Sequence, residues 1–213
     1  MDELDILKKD WKKQESSFQQ IGEKEIYGML HKGSSSIVKW VLIISILELL
    51  LWLSFAFFTA DDQYLEKLKL YHLDTLMPIM TVISYGVILF FIFLFFKNYK
   101  TINATDNVKQ LMQNILKTRK TVKYYVWYNL AMTAFSFILV FIFQFMYDPN
   151  LTKIVEKMSQ NININIFYCI MFVIYTVIIA LFVGLIWLFY RVLYGILLKR
   201  LGKNYDELKK IEF

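Results

Sequence analysis

The chain has 213 residues and a formal net charge of +6, with 57% hydrophobic and 20% charged residues, two histidines and one cysteine. Two histidines are too few for a multi-histidine iron site, and a lone cysteine allows neither an internal disulfide nor the paired thiols of a disulfide-generating enzyme. Gly-rich phosphate loops, HExxH and GxSxG are absent from the sequence.

Residues 1–36 read as a polar N-terminal segment, and the seven lysines of 1–39 are matched by Asp2, Glu3, Asp5, Asp10, Glu15, Glu23 and Glu25. It lacks the basic start, apolar middle and small-residue cleavage site of a secretory signal. Asp2 is placed to cap a helix in which Leu4, Leu7 and Trp11 form a narrow apolar stripe. A second short helix over 23–32 is expected to bury Ile26, Met29 and Leu30, with breaks at 14–20 and at the Gly-Ser run 33–36.

Four apolar runs follow, at about 37–58, 75–96, 124–146 and 166–190, each near the ~20 residues needed to cross ~30 Å of hydrocarbon. A bilayer offers no partner to a bare peptide group, so each run should be helical. Short connections then predict an all-α membrane protein, an antiparallel four-transmembrane-helix bundle over 37–190. Within the loop 97–123, Val108, Leu111, Met112, Ile115 and Leu116 recur with helical period and Thr105 is placed to cap them. The tail 191–213 repeats the pattern with Val192, Ile196, Leu197, Leu201, Tyr205, Leu208 and Ile211, as a continuation of the fourth span. These stretches predict amphipathic cytoplasmic helices.

Orientation follows from lysine and arginine, which stay on the cytoplasmic side during insertion. Twenty basic residues lie in 1–39, in 97–123 and from Arg191 onward, against Lys67, Lys69, Lys153 and Lys157 in the two other loops. The expected protein is multi-pass in the inner (cytoplasmic) membrane, with both termini cytoplasmic. His31 and His72 then fall on opposite sides, so no bis-histidine haem forms within the bundle, and no cofactor or metal is expected. Trp40, Tyr64, Tyr71, Tyr124, Tyr125, Trp127 and Tyr147 stand at span ends as interfacial anchors.

Glu48 is the one charged side chain well inside a span, where a charge costs about 2.5–3.5 kcal/mol, so it should face the bundle interior in its neutral form. At matching depth lie Ser84 and Tyr85, Thr133 and Ser136, and Tyr175 and Thr176, together predicting an intramembrane polar cluster. Two roles fit such a group: a proton or cation relay, or helix-to-helix hydrogen bonding. The second is favoured, because no further titratable stations lead away from Glu48 towards either side. Thr176, Ala180 and Gly184 recur at four-residue spacing, a pattern for close helix packing within the bundle or between copies in a homo-oligomer.

Residues 1–11, the 34–40 stretch entering the first span, and Tyr205 with Leu208, Lys209 and Lys210 resemble a group of uncharacterised four-span membrane proteins of Bacteroidota. Some of that group carry a carotenoid-oxygenase label, which two histidines contradict, since that chemistry needs four on iron. The group's resemblance implies gene neighbourhoods with extracytoplasmic-function sigma factors. The reading drawn from it is a non-enzymatic membrane protein whose cytoplasmic helices dock a soluble protein, such as a transcriptional regulator, without touching nucleic acid directly. Leu4, Leu7, Trp11, Ile26, Met29 and Leu30 would be the docking anchors. The alternative is a small transporter, or an accessory subunit of a membrane complex, centred on Glu48.

Overall fold

The computed structural model describes residues 22–105, 107–159 and 164–211. Among them the chain is helical: α1 (Glu23–Thr59), α2 (Asp62–Leu70), α3 (Leu76–Asn103), α4 (Val108–Tyr147), α5 (Pro149–Ser159) and α6 (Ile164–Ile211). Four of these, α1, α3, α4 and α6, are long and apolar enough to span a membrane. Both α1 and α4 pack against α3 and α6, so the four close a ring with α1 and α4 across its diagonal. One end of the ring carries the start of α1, the α3–α4 turn and the end of α6, and with them most of the basic residues; α2 and α5 lie at the far end.

The short connections are built by side-chain caps. Asp61 accepts from the backbone N–H of Tyr64 at 2.8 Å and starts α2. Asp148 accepts from Asn150 N–H at 2.9 Å, with Pro149 in the first position of α5. At the basic end the cap of α4 is Asn107, accepting from Lys109 N–H at 2.9 Å, and not Thr105. Thr105 is buried two residues beyond α3, donates to Thr101 O at 2.6 Å and accepts from Asn114 Nδ2 at 3.1 Å. Most of the basic loop is thus helical, with α3 continuing to Asn103 and α4 beginning at Val108.

The break expected at 33–36 does not occur, because α1 runs unbroken through it. The small residues serve a close approach instead. A Cβ on Gly33 would sit 3.2 Å from Asn204 Nδ2 on α6, Ser34 accepts from that amide at 3.1 Å, and Ser35 donates to Asn103 Oδ1 on α3 at 3.3 Å. His31 Nε2 lies 2.8 Å from the Ile102 carbonyl, and Tyr27 donates to the Thr105 carbonyl at 3.1 Å. A glycine inside a helix costs about 1 kcal/mol relative to alanine, a cost that three-helix contact offsets here. The predicted continuation of the fourth span past residue 190 is present as one helix to Ile211.

Burial is uneven along the ring. At the basic end Leu30, Val38, Ile102, Leu111, Ile115, Leu201 and Leu208 form one core, and Val41, Phe95, Val122 and Tyr125 with their neighbours form the next. In α1 the buried positions Ser34, Ser35, Val38, Val41, Ser45 and Glu48 follow helical spacing, and Glu48 is the last of them. From Leu50 to Ala60 every residue of α1 is exposed. Those side chains are suited to lipid, whereas the first turns of the same apolar run are enclosed by protein.

Candidate functional site

Glu48 sits where the packed half of the ring ends. Glu48 is 7% exposed, and its carboxyl group is met by three phenols. Tyr125 from α4 donates to Oε2 at 2.8 Å, Tyr194 from α6 donates to the same oxygen at 3.1 Å, and Tyr190, one turn earlier on α6, donates to Oε1. The i, i+4 spacing of Tyr190 and Tyr194 puts both on one face of α6. Tyr125, Tyr190 and Tyr194 are themselves 0%, 3% and 1% exposed, and their rings meet edge-on or tilted at 5.8–6.4 Å between centroids. Phe91 and Phe95 on α3 close the remaining side, each 5.5 Å from the Tyr125 ring.

Three phenol donors satisfy a carboxylate without a basic residue; one phenol turned to accept serves the protonated acid equally well. The cage therefore has hydrogen bonds for either form of Glu48, which is what a loadable proton site requires.

Beyond the cage, towards α2, lies a cavity of about 690 Å3. Ser84 and Tyr85 of α3 and Thr133 and Ser136 of α4 line it, together with Tyr128, Asn129 and Trp52. Tyr190 belongs to both sites: it lines the cavity and donates to Glu48. Asn129 donates to the Tyr125 carbonyl at 2.9 Å, and Thr133 to the Asn129 carbonyl at 2.8 Å, while the Tyr128 hydroxyl is buried with no hydrogen-bond partner. At the far end Tyr64, Lys67, Leu68 and Tyr71 of the α2 segment complete the wall. Tyr71 donates to Asp148 Oδ2 at 3.2 Å, tying that segment to the end of α4. Partial burial, then the charge and hydrogen bond of Asp148, hold the Tyr71 phenol above its ordinary range.

Of the polar residues predicted to meet Glu48, four are brought together around this cavity, and none of the six donates to its carboxyl group. Tyr175 and Thr176 lie elsewhere, on an apolar groove of about 880 Å3 between α4 and α6. There Tyr175 stacks on Phe141 at 4.4 Å, and Thr176 is exposed and donates to the Phe172 carbonyl. Ala180 lines the same groove, and Gly184 has open space where a Cβ would stand, so this stripe is not a helix contact within the chain.

The three tyrosines were not foreseen as partners of Glu48, and Tyr125, read as an interfacial anchor, is fully buried. Tyr124 and Trp127 beside it are exposed at 56% and 71%. Among the expected docking anchors, Leu30 is buried and Ile26 partly buried in the chain's own basic-end core, and Met29 is exposed. Leu4, Leu7 and Trp11 lie outside the described residues. Among the described residues no three His, Cys, Asp or Glu side chains come together as a metal site.

A sequence family described as Domain of unknown function (DUF8845) matches residues 24–213. The chain belongs to that family. The matched region contains Glu48, its three tyrosines and the whole cavity wall, and leaves Leu4, Leu7 and Trp11 outside it. No curated protein and no solved structure matches the chain.

Proposed function

We propose that this is a small non-enzymatic transporter of the inner membrane, an antiparallel four-span bundle with both termini in the cytoplasm, binding its solute in the cavity above Glu48. The observation that carries the reading is Tyr190, shared between a largely apolar cavity of about 690 Å3, edged by a few hydroxyl and amide groups, and the carboxyl group of Glu48. A cavity of that size suits a small organic solute, and an intramembrane acid bonded for either protonation state suits a coupling site. The twenty-to-four distribution of basic residues supports the orientation, which would face the cavity away from the cytoplasm.

Docking of a soluble regulator is the weaker reading. It needs Ile26 and Leu30 free, and both contribute to the basic-end core.

Cysteine accessibility tests the proposal. Thr133→Cys and Ser136→Cys, each in a Cys169→Ser background, should react in right-side-out vesicles with a water-soluble, membrane-impermeant thiol reagent, at rates within about tenfold of Lys67→Cys at the far-end wall. If Lys67→Cys reacts and neither deeper position does, no aqueous path reaches Glu48 and the transport reading fails.

A further inference from the structure

We infer that the cavity selects lipophilic organic cations, with Glu48 as their counter-charge; this rests on the transport reading above. Aromatic side chains enter the wall from every segment that builds it: Trp52 from α1, Tyr64 from α2, Tyr71 from the turn after it, Tyr85 from α3, Tyr128 from α4 and Tyr190 from α6. Ring faces carry negative potential and attract a cation within about 6 Å, an interaction that strengthens when water is excluded. Met77, Met80 and Met132 add polarizable, adaptable surface, which suits ligands defined by charge and bulk more than by a fixed hydrogen-bond pattern.

Charge decides between ligand classes. No Asp or Glu lines the cavity, and its one lysine, Lys67, is exposed on α2 at the far end. An anion moving inward would leave Lys67 behind and approach the carboxyl group of Glu48. A cation passes Lys67 once and meets aromatic faces, then the cage. A neutral solute would use the hydroxyls of Ser84, Thr133 and Ser136 and would offer no counter-charge to Glu48 on ionisation. The buried, unpartnered oxygen of Tyr128 adds an acceptor for an ammonium N–H.

The test is equilibrium binding of radiolabelled tetraphenylphosphonium to the full chain in lipid nanodiscs, corrected with empty nanodiscs, beside tetraphenylborate, which has the same shape and the opposite charge. Saturable phosphonium binding is expected, weakened at least tenfold by Glu48→Gln and about threefold or more by Tyr64→Leu, a wall position on α2 that is 45% exposed. Tetraphenylborate should not compete. Saturable borate binding without phosphonium binding would overturn the cation assignment and leave the cavity reading standing. Phosphonium binding equally strong in both variants would overturn it too. No binding of either ion, with Thr133→Cys still reactive, would reject the cation class alone; an unreactive Thr133→Cys would remove the cavity reading with it.

Discussion

The amide of Asn204 donates to the hydroxyl of Ser34 at 3.1 Å, joining two residues 170 positions apart where Gly33 admits α6 close to α1. Ser34 is fully buried. Ser34→Ala should lower stability by about 1 kcal/mol by leaving the amide without its acceptor. Gly33→Leu should cost more, because its side chain would have to displace Asn204. Thermal unfolding in detergent, followed by tryptophan fluorescence, should rank Gly33→Leu below Ser34→Ala and both below wild type. Equal melting of all three would mean that this contact is not part of the cooperative unit.

Removing the carboxyl group at the centre of the cage should be more damaging than neutralising it. Glu48→Ala strands three buried phenol donors, at about 1–3 kcal/mol for each one left unsatisfied, and opens a hole among Tyr125, Tyr190 and Tyr194. Glu48→Gln keeps an acceptor oxygen and should melt between the alanine variant and wild type. Tyr190→Phe removes one donor and should cost about 1 kcal/mol. If Glu48→Ala melted like wild type, the cage would contribute nothing to holding α1, α4 and α6 together.

Tyr71 gives a pH signature at the far end. Its ordinary value is near 10.0 and the folded protein holds it higher, chiefly through desolvation and then through Asp148. The folded state therefore keeps the phenol proton where the unfolded chain releases it, so stability is full below about pH 10 and falls as pH rises above that value. Melting temperature measured from pH 8.5 to 11 should fall less steeply in Tyr71→Phe than in wild type. Parallel curves would remove the Asp148 contact as a stabilising element.

Orientation is open to a direct measurement. In intact cells, an impermeant maleimide should label Lys67→Cys and leave Lys203→Cys untouched until the membrane is permeabilised, both in a Cys169→Ser background. The reverse pattern would invert the topology and turn the cavity towards the cytoplasm.

The spans and the uninterrupted tail were legible because hydropathy and the spacing of Leu197, Leu201 and Leu208 report directly on helical burial. The depth of Glu48 was not. Hydropathy does not distinguish lipid-facing from protein-facing apolar residues: Val38 and Val41 count towards the first span yet are fully buried among neighbouring helices. The midpoint of that run therefore sits lower than it reads, and Glu48 meets Tyr125 and Tyr190, which mark the basic-end limits of their own runs. The signal that could have found them is the stripe Ser34, Val38, Val41, Ser45, Glu48 on α1, matched on the neighbouring α6 by the tyrosine pair at 190 and 194. The continuity of α1 through Gly33 was hidden for a related reason, since a glycine-serine run looks the same whether it ends a helix or admits a neighbour.

α6 is a single rod of 48 residues, about 72 Å at 1.5 Å per residue. The phenols of Tyr190 and Tyr194 grip it about 39 Å from its first residue and about 27 Å from Leu208. Its outer arm has no buried side chain in its most apolar stretch, while its inner arm ends in the closely fitted contacts of Leu201 and Leu208. The outer arm lies against α4 through the ring pairs Phe141–Tyr175 and Phe137–Phe182, so one uninterrupted helix carries the α4 contact, the Glu48 cage and the basic-end core in series, and none of the three can shift along it alone.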